Sequence, residues 1–179
     1  MSAGQVLDQI CKDRKILGQR SRETDTEEMR KLGIVARLIS MMDEGWTSGI
    51  GLAAIQIAVP IRCAVYIPYR IDPKLSKDPV TLINPVVIEF SNLRPRSREG
   101  CISIPGERFN TYRYNEITIE NGPADKRVIM RASGVEAQVI QHEIDHMDGI
   151  CCDQRTKIQE RNERCACGSG IKFKKCHGK

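Results

Sequence analysis

His142 and His146 lie four residues apart in the stretch Q-H-E-I-D-H-M-D-G, 141–149. Residues at that spacing share one face of a helix, so two imidazoles can reach one metal ion. Glu143, next to the first histidine, could then reach a water on that metal, which is the physical content of an H-E-x-x-H pattern. The chain has only three histidines, and two fall here. Asp145 and Asp148 add acidic neighbours able to orient the imidazoles. A catalytic metal needs a third protein ligand and an open position. Cys151 and Cys152 follow just downstream; Cys101 stands upstream in R-E-G-C-I-S-I-P. A third stretch, G-I-G-L-A-A-I-Q over 49–56, superficially matches a dinucleotide fingerprint, but that fingerprint needs a preceding strand and here a helical pattern precedes it. The residue with chemical potential in it is Gln56, whose amide can donate to a carbonyl oxygen.

These residues need elements to position them. Met29, Leu32, Val35, Leu38, Ile39 and Met42 recur at helical spacing, which predicts a helix from about Glu27 to Glu44, capped within Thr24–Glu27 and stopped near Gly45. Arg62–Pro68 and Val80–Phe90 read as strands, the second bent or placed at an edge by Pro85. Glu116–Glu120 and Arg127–Arg131 read as two short strands joined by N-G-P-A-D. Ser133 can cap a last helix over about Gly134–Met147, with Gly149 as its stop. Helix, strands, helix and tail predict an α+β fold.

The 179 residues suggest one domain with a small appendage, and aliphatic residues must fill the core because aromatics are only 4%. No apolar run spans a bilayer, and the N-terminus lacks a signal-peptide segment, so the expectation is a cytoplasmic protein without a membrane or DNA partner. Eight cysteines would suit a disulfide framework only in an oxidising compartment; metal ligation accounts for their spacing better. Residues 156–179 hold seven basic and two acidic side chains, which is the whole net charge of +5.

The three stretches together, "GIGLAAIQ", "EGCIS" and "QHEIDHMDG" in this order, resemble the peptide deformylase family over roughly 27–153. The resemblance implies small antiparallel sheets packed around a C-terminal metal-binding helix. It implies Cys101, His142 and His146 as ligands of one divalent metal, natively Fe(II), although a Cys-His-His set also accepts Zn(II), Ni(II) or Co(II). It implies Glu143 as proton shuttle, and Gln56 with the backbone N–H of Ile102 as donors to the oxyanion. The attacked group is the formyl carbonyl on the N-terminal methionine of nascent peptides, released as formate. Ile50, Gly51 and Gly100 border the peptide backbone, Val139 and His142 border the methionine pocket, and Glu99 with Arg113 forms an ion pair near the metal. Ile102 and Met147 stand where the family usually has Leu, Ala58 where it often has Gly, and the common leading segment is missing. Two other functions remain open on the residues alone: a metallopeptidase acting on ordinary peptide bonds, and a catalytically silent metal-binding module docked on ribosomes.

The tail reads C-A-C-G-S-G-I-K-F-K-K-C-H. Cys165, Cys167, Cys176 and His177 make a closed tetrahedral set suited to structural zinc, and Lys172, Lys174 and Lys175 offset its negative charge. The tail resembles the SEC-C motif, a small docking module at the end of the bacterial secretion motor ATPase. A basic zinc knuckle could contact the ribosome. The expected organisation is a catalytic domain over 1–153, a linker over 154–163 and the zinc-binding tail over 164–179.

Overall fold

A computed structural model of the chain describes residues 9–43, 49–91, 93–156, 160–164 and 171–175. The N-terminal segment leads into one helical turn, α1 (Arg14–Leu17), capped by the Asp13 carboxylate, which accepts from the Lys15 N–H at 2.8 Å. The long helix expected over 27–44 is two helices, α2 (Thr26–Leu32) and α3 (Ile34–Asp43). Gly33 adopts the left-handed backbone, φ 57°, and closes α2 through its N–H to Met29 and Arg30 carbonyls. Side-chain periodicity runs through such a break almost unchanged, so the sequence does not reveal it. Asp25 is the cap, accepting from Glu28 N–H at 2.8 Å. The expected stop at Gly45 lies outside the described residues.

Strands β1 (Gly51–Ala53), β2 (Cys63–Tyr66) and β3 (Val80–Ile83) form one antiparallel sheet. Side chains alternate between its faces, and each face packs a separate core. Leu52, Cys63 and Val65 join Leu38 and Met42 of α3. Ala53, Ala64, Tyr66 and Leu82 join the second core. Burial on both faces is why 62–68 reads as a continuous apolar run.

Pro85 divides the expected strand 80–90. After it, β4 (Val86–Phe90) leaves for a different sheet. Asn84, at φ 44°, makes the corner and is fixed by paired bonds with the backbone of Thr24, at 3.0 and 2.7 Å. The longest strands, β5 (Leu93–Cys101) and β6 (Ile104–Tyr114), form a hairpin of their own; their polar, arginine-rich sequence hid them from strand patterning. Strands β7 (Glu116–Asn121) and β8 (Val128–Ser133) complete the sheet β4-β7-β8 as expected around the N-G-P-A-D turn.

Helix α4 (Gly134–Met147) runs where predicted. Ser133 occupies the cap position but makes no side-chain capping bond. Ala137, Ile140, Ile144 and Met147 bury against the second core beside Ile55, Leu82, Ile117 and Ile119. Gln141 clamps the end of β6 to the helix: its amide donates to the Tyr114 carbonyl and accepts from the Tyr114 N–H, both at 2.9 Å. Gly149, φ 76°, ends the element where a Cβ would stand 2.5 Å from the Gly18 carbonyl oxygen. No helix of the described residues is long and apolar enough to cross a membrane.

Candidate metal centre and catalytic cleft

The helix, the β5–β6 hairpin and the turn after β1 meet at one place. Cys101 is the last residue of β5, and it pairs across the hairpin with Ile104, so Ile102 and Ser103 form the connecting turn. Cys101 Sγ lies 3.3 Å from His146 Nε2, and the two histidine Nε2 atoms lie 3.1 Å apart. The three donor atoms fall within 4.8 Å of one another. Cys101 and His146 are buried and His142 is half-buried.

The surroundings determine which nitrogen faces inward. His142 Nδ1 is 3.1 Å from Glu99 Oε2, so it donates there and leaves the Nε2 lone pair toward Cys101. Glu99 is itself held by Arg113, whose Nε and Nη2 donate at 2.7 and 2.8 Å. Arg113 also pairs with Asp145, and Asp145 with Arg155, whose Nε donates at 2.9 Å. This chain of charges is buried, with Arg113 only 2% exposed. Arg155 lies two residues past the expected domain limit, yet it folds back onto α4.

This arrangement corrects one expectation. Neither Asp145 nor Asp148 orients an imidazole: Asp145 pairs with arginines, and Asp148 accepts from Arg62 at 2.6 Å. The carboxylate that serves His142 is Glu99, brought across from β5. A buried acid is stabilised most by a full guanidinium charge, and arginines from β6 and the turn at 152–155 were within reach.

Electrostatics favour positive charge at the centre. The Cys152 thiol hydrogen-bonds Cys101 and, with both histidines, pushes the Cys101 thiol well below its usual range against the effect of burial. Burial opposes charge on the imidazoles, but contact with Cys101, aided for His142 by Glu99, outweighs it; both are pushed up, His146 to about 9. Two imidazole nitrogens and a thiolate, converging in a field that attracts a cation, fit a borderline divalent metal with N/S ligands.

Glu143 faces the same space. It is 2% exposed, its Oε2 has no hydrogen-bond partner among the described residues, and burial raises its pKa. A Cβ at Gly51 would stand 2.5 Å from Glu143 Oε1, so any side chain there would displace the Glu143 carboxylate. Gln56 sits in a 3-10 turn, 54–57. Its Oε1 accepts from the Ala53 N–H at 2.9 Å, which aims Nε2 at Cys101 Sγ (3.6 Å) and Ser103 Oγ (3.2 Å). Ser103, the pairing of Asp145 with Arg155, and the contact of Cys152 with Cys101 were not foreseen from the sequence. Ser103 could have been found, as the last residue of E-G-C-I-S; the others carry no local pattern.

A cleft of about 1140 Å³ opens over the centre, and Ile50, Gly51, Gly100, Ile102 and Val139 all line it. The N-terminal segment forms one wall through Gln9, Ile10 and Lys12, pinned where the Cys11 N–H donates to the Gln56 carbonyl at 2.7 Å. The four expected zinc ligands of the tail, Cys165, Cys167, Cys176 and His177, lie outside the described residues. Around them, Arg164 bridges Lys172 in antiparallel fashion, and the Phe173 N–H donates to Glu163 at 2.8 Å.

The profile of the family "Polypeptide deformylase" matches residues 7–165, and that of the SEC-C motif matches 161–179. The chain is 34% identical over 148 residues to the peptide deformylase of Pelagibacter ubique, covering 79% of this chain and 80% of the other. It is 35% identical over 150 residues to peptide deformylase 1A of Arabidopsis thaliana, covering 75% of this chain but 55% of that longer protein. Among solved structures, a class I type b peptide deformylase of Acinetobacter baumannii with Met-Ala-Ser bound superposes with a TM-score of 0.70 at 25% identity, over 84% of this chain and 98% of that one. With its metal-ligand set, Glu143 and Gln56 assembled on one cleft and its length matched by the family profile, the chain belongs to the polypeptide deformylase family.

Proposed function

We propose that this chain removes the formyl group from the N-terminal methionine of newly made polypeptides, and that Cys101, His142, His146, Glu143, Gln56 and Ile102 carry the reaction. The observation that supports it most is Glu143 Oε2, a buried carboxylate oxygen without a partner among the described residues, next to three converging metal donors. A divalent metal held by Cys101, His142 and His146 would supply Lewis acidity to water and to the carbonyl. Water oxygen attacks the formyl carbon as Glu143 takes its proton. Gln56 Nε2 and the Ile102 N–H donate to the oxygen that gains charge. The C–N bond then breaks, Glu143 returns the proton to the leaving amine, and formate departs. Glu99 holds the His142 ring through Nδ1, and Arg113 keeps Glu99 ionised. Gly51 and Gly100 let the peptide backbone approach, and Val139 borders the methionine side chain.

Fe(II) is the proposed native ion, with Zn(II), Ni(II) and Co(II) able to occupy the same donors. The test is anaerobic formate release from a formyl-Met tripeptide by Fe(II)-reconstituted protein, alongside its unformylated counterpart. Formate from the first and no cleavage of the second is expected; the reverse would indicate a metallopeptidase.

The proposed organisation is a cytoplasmic catalytic domain over 1–153, a linker over 154–163 and a zinc-binding tail over 164–179. The SEC-C match and the Arg164–Lys172 bridge, which pairs residues on the two sides of segment 165–170, support a structural zinc on Cys165, Cys167, Cys176 and His177. Its basic side chains suit ribosomal phosphate. Deleting 164–179 is expected to remove one equivalent of zinc and to weaken salt-dependent ribosome pelleting; unchanged pelleting would remove the ribosome from this proposal.

A further inference from the structure

We propose that the cleft selects formylated peptides carrying acidic side chains at the two positions after the methionine, through Lys12, Arg98 and Arg108. This rests on the deformylase reading and extends it to the residues beyond the methionine.

The three cations reach the cleft from two sides. Lys12 comes with the N-terminal wall, which the Cys11–Gln56 bond fixes in place. Arg98 and Arg108 come from the hairpin. The β5–β6 register shifts between Arg96 and Glu99, and Arg98 takes a left-handed backbone, φ 39°. That irregularity separates two neighbours of opposite charge: Glu99 turns inward to Arg113 and His142, while Arg98 stays exposed at the cleft. Arg108 sits directly across the hairpin from Gly100, and because Gly100 has no side chain, the cleft wall beside Cys101 is open backbone with the Arg108 stem beside it.

The acids of the same cleft do not cancel this charge. Glu99 is matched by Arg113 and His142, and Glu143 is buried at the base of the cleft, only 2% exposed. Glu107 is the remaining acid lining the cleft among the described residues. Among the described residues, Lys12, Arg98 and Arg108 have no ion-pair partner. A concave surface with an excess of one sign of charge, here three cations against Glu107, focuses its field on what enters. The entering peptide has lost its N-terminal positive charge to formylation, so its side chains decide the attraction. Exposed pairs are individually weak, but three acting together on a doubly acidic peptide are expected to give ~10-fold over a basic one at low ionic strength.

The test uses Fe(II)-loaded full chain and three peptides amidated at the C-terminus, so that no terminal carboxylate intervenes: formyl-Met-Ala-Ala-amide, formyl-Met-Glu-Glu-amide and formyl-Met-Lys-Lys-amide. The expected kcat/KM order is acidic, neutral, basic, with the difference residing in KM and shrinking toward unity at roughly 1 M salt, where the Debye length is only ~3 Å. The double variant Arg98→Glu with Arg108→Glu is expected to invert the acidic-to-basic ratio. A ratio near one in wild type, or a ratio the double variant does not change, overturns the inference while hydrolysis of the neutral peptide leaves the deformylase reading standing. Failure to hydrolyse any of the three overturns both.

Discussion

Glu143→Ala is expected to lower formate release by about 10²–10⁴-fold, the range for losing a positioned proton-transfer group, with the fold and the bound metal retained. The position makes this a clean experiment. Glu143 contributes no donor to the Cys101, His142 and His146 set, and its Oε2 bonds nothing among the described residues. A buried carboxylate without a partner costs stability, of order 1–3 kcal/mol. Glu143→Gln, which keeps the shape, is therefore expected to be no less stable than wild type in thermal unfolding and nearly as inactive as the alanine variant. Gly51→Ala probes the same carboxylate from the other side. Its Cβ would meet Glu143 Oε1 at 2.5 Å, so the side chain must move, and activity is expected to fall with the metal content unchanged. Formate release within a few-fold of wild type for Glu143→Ala would remove Glu143 from the mechanism.

Arg113→Met has the largest expected effect on stability. Arg113 is buried between Glu99 and Asp145, and removing it takes from Glu99 the guanidinium that opposes its burial and from Asp145 one of its two arginines. Breaking a buried ion pair by deleting one partner costs about 3–5 kcal/mol, a large share of the ~5–15 kcal/mol that holds a domain together. Denaturant titration reads the loss directly. Arg113→Lys is expected to recover only part of it, since an ammonium cannot span Glu99 with two parallel bonds.

The pH dependence follows from the same network. Burial raises the Asp145 carboxyl, but Arg155 and Arg113 overcome it and hold it at about 2, against an ordinary 3.8. A depressed carboxylate stabilises the fold fully above its unfolded pKa and loses that contribution as pH falls through the folded value. Glu99 is shifted in the same direction, its burial outweighed by Arg113 and His142. The contribution of Asp145 is thus expected to fade as pH falls below about 4 and to be gone near pH 2, and Arg113→Met to unfold at a higher pH than wild type. A loss below about 1 kcal/mol together with an unmoved acid midpoint would show that the network is not structural. His142 adds a functional readout: with Glu99 no longer fixed, metal affinity is expected to drop by roughly 10–100-fold.

The chemistry was legible in the sequence because it is written in short, local patterns. Two histidines one helical turn apart specify a shared face wherever the helix lies. The limits of α4 were readable from its neighbours: Ser133 marks its start by position, without a capping bond, and a left-handed Gly149 follows its end. Cys101 and Gln56 were recognisable through the stretches they stand in, although neither stretch says what its residue faces. What only the tertiary structure decided depends on contacts between segments distant in sequence. The orientation of His142 comes from Glu99, 43 residues away. The Arg113 that steadies Glu99 reaches Asp145 32 residues on. The aim of the Gln56 amide is fixed by the Ala53 N–H, and its approach to Cys101 spans 45 residues. The helix break at Gly33 and the β5–β6 hairpin also escaped. A single left-handed residue leaves the apolar period unchanged, and a hairpin of strands rich in charged residues carries no apolar alternation to read. Sequence pattern records which residues share a face of one element; which faces meet, and which charge ends beside which, is settled only when the core closes.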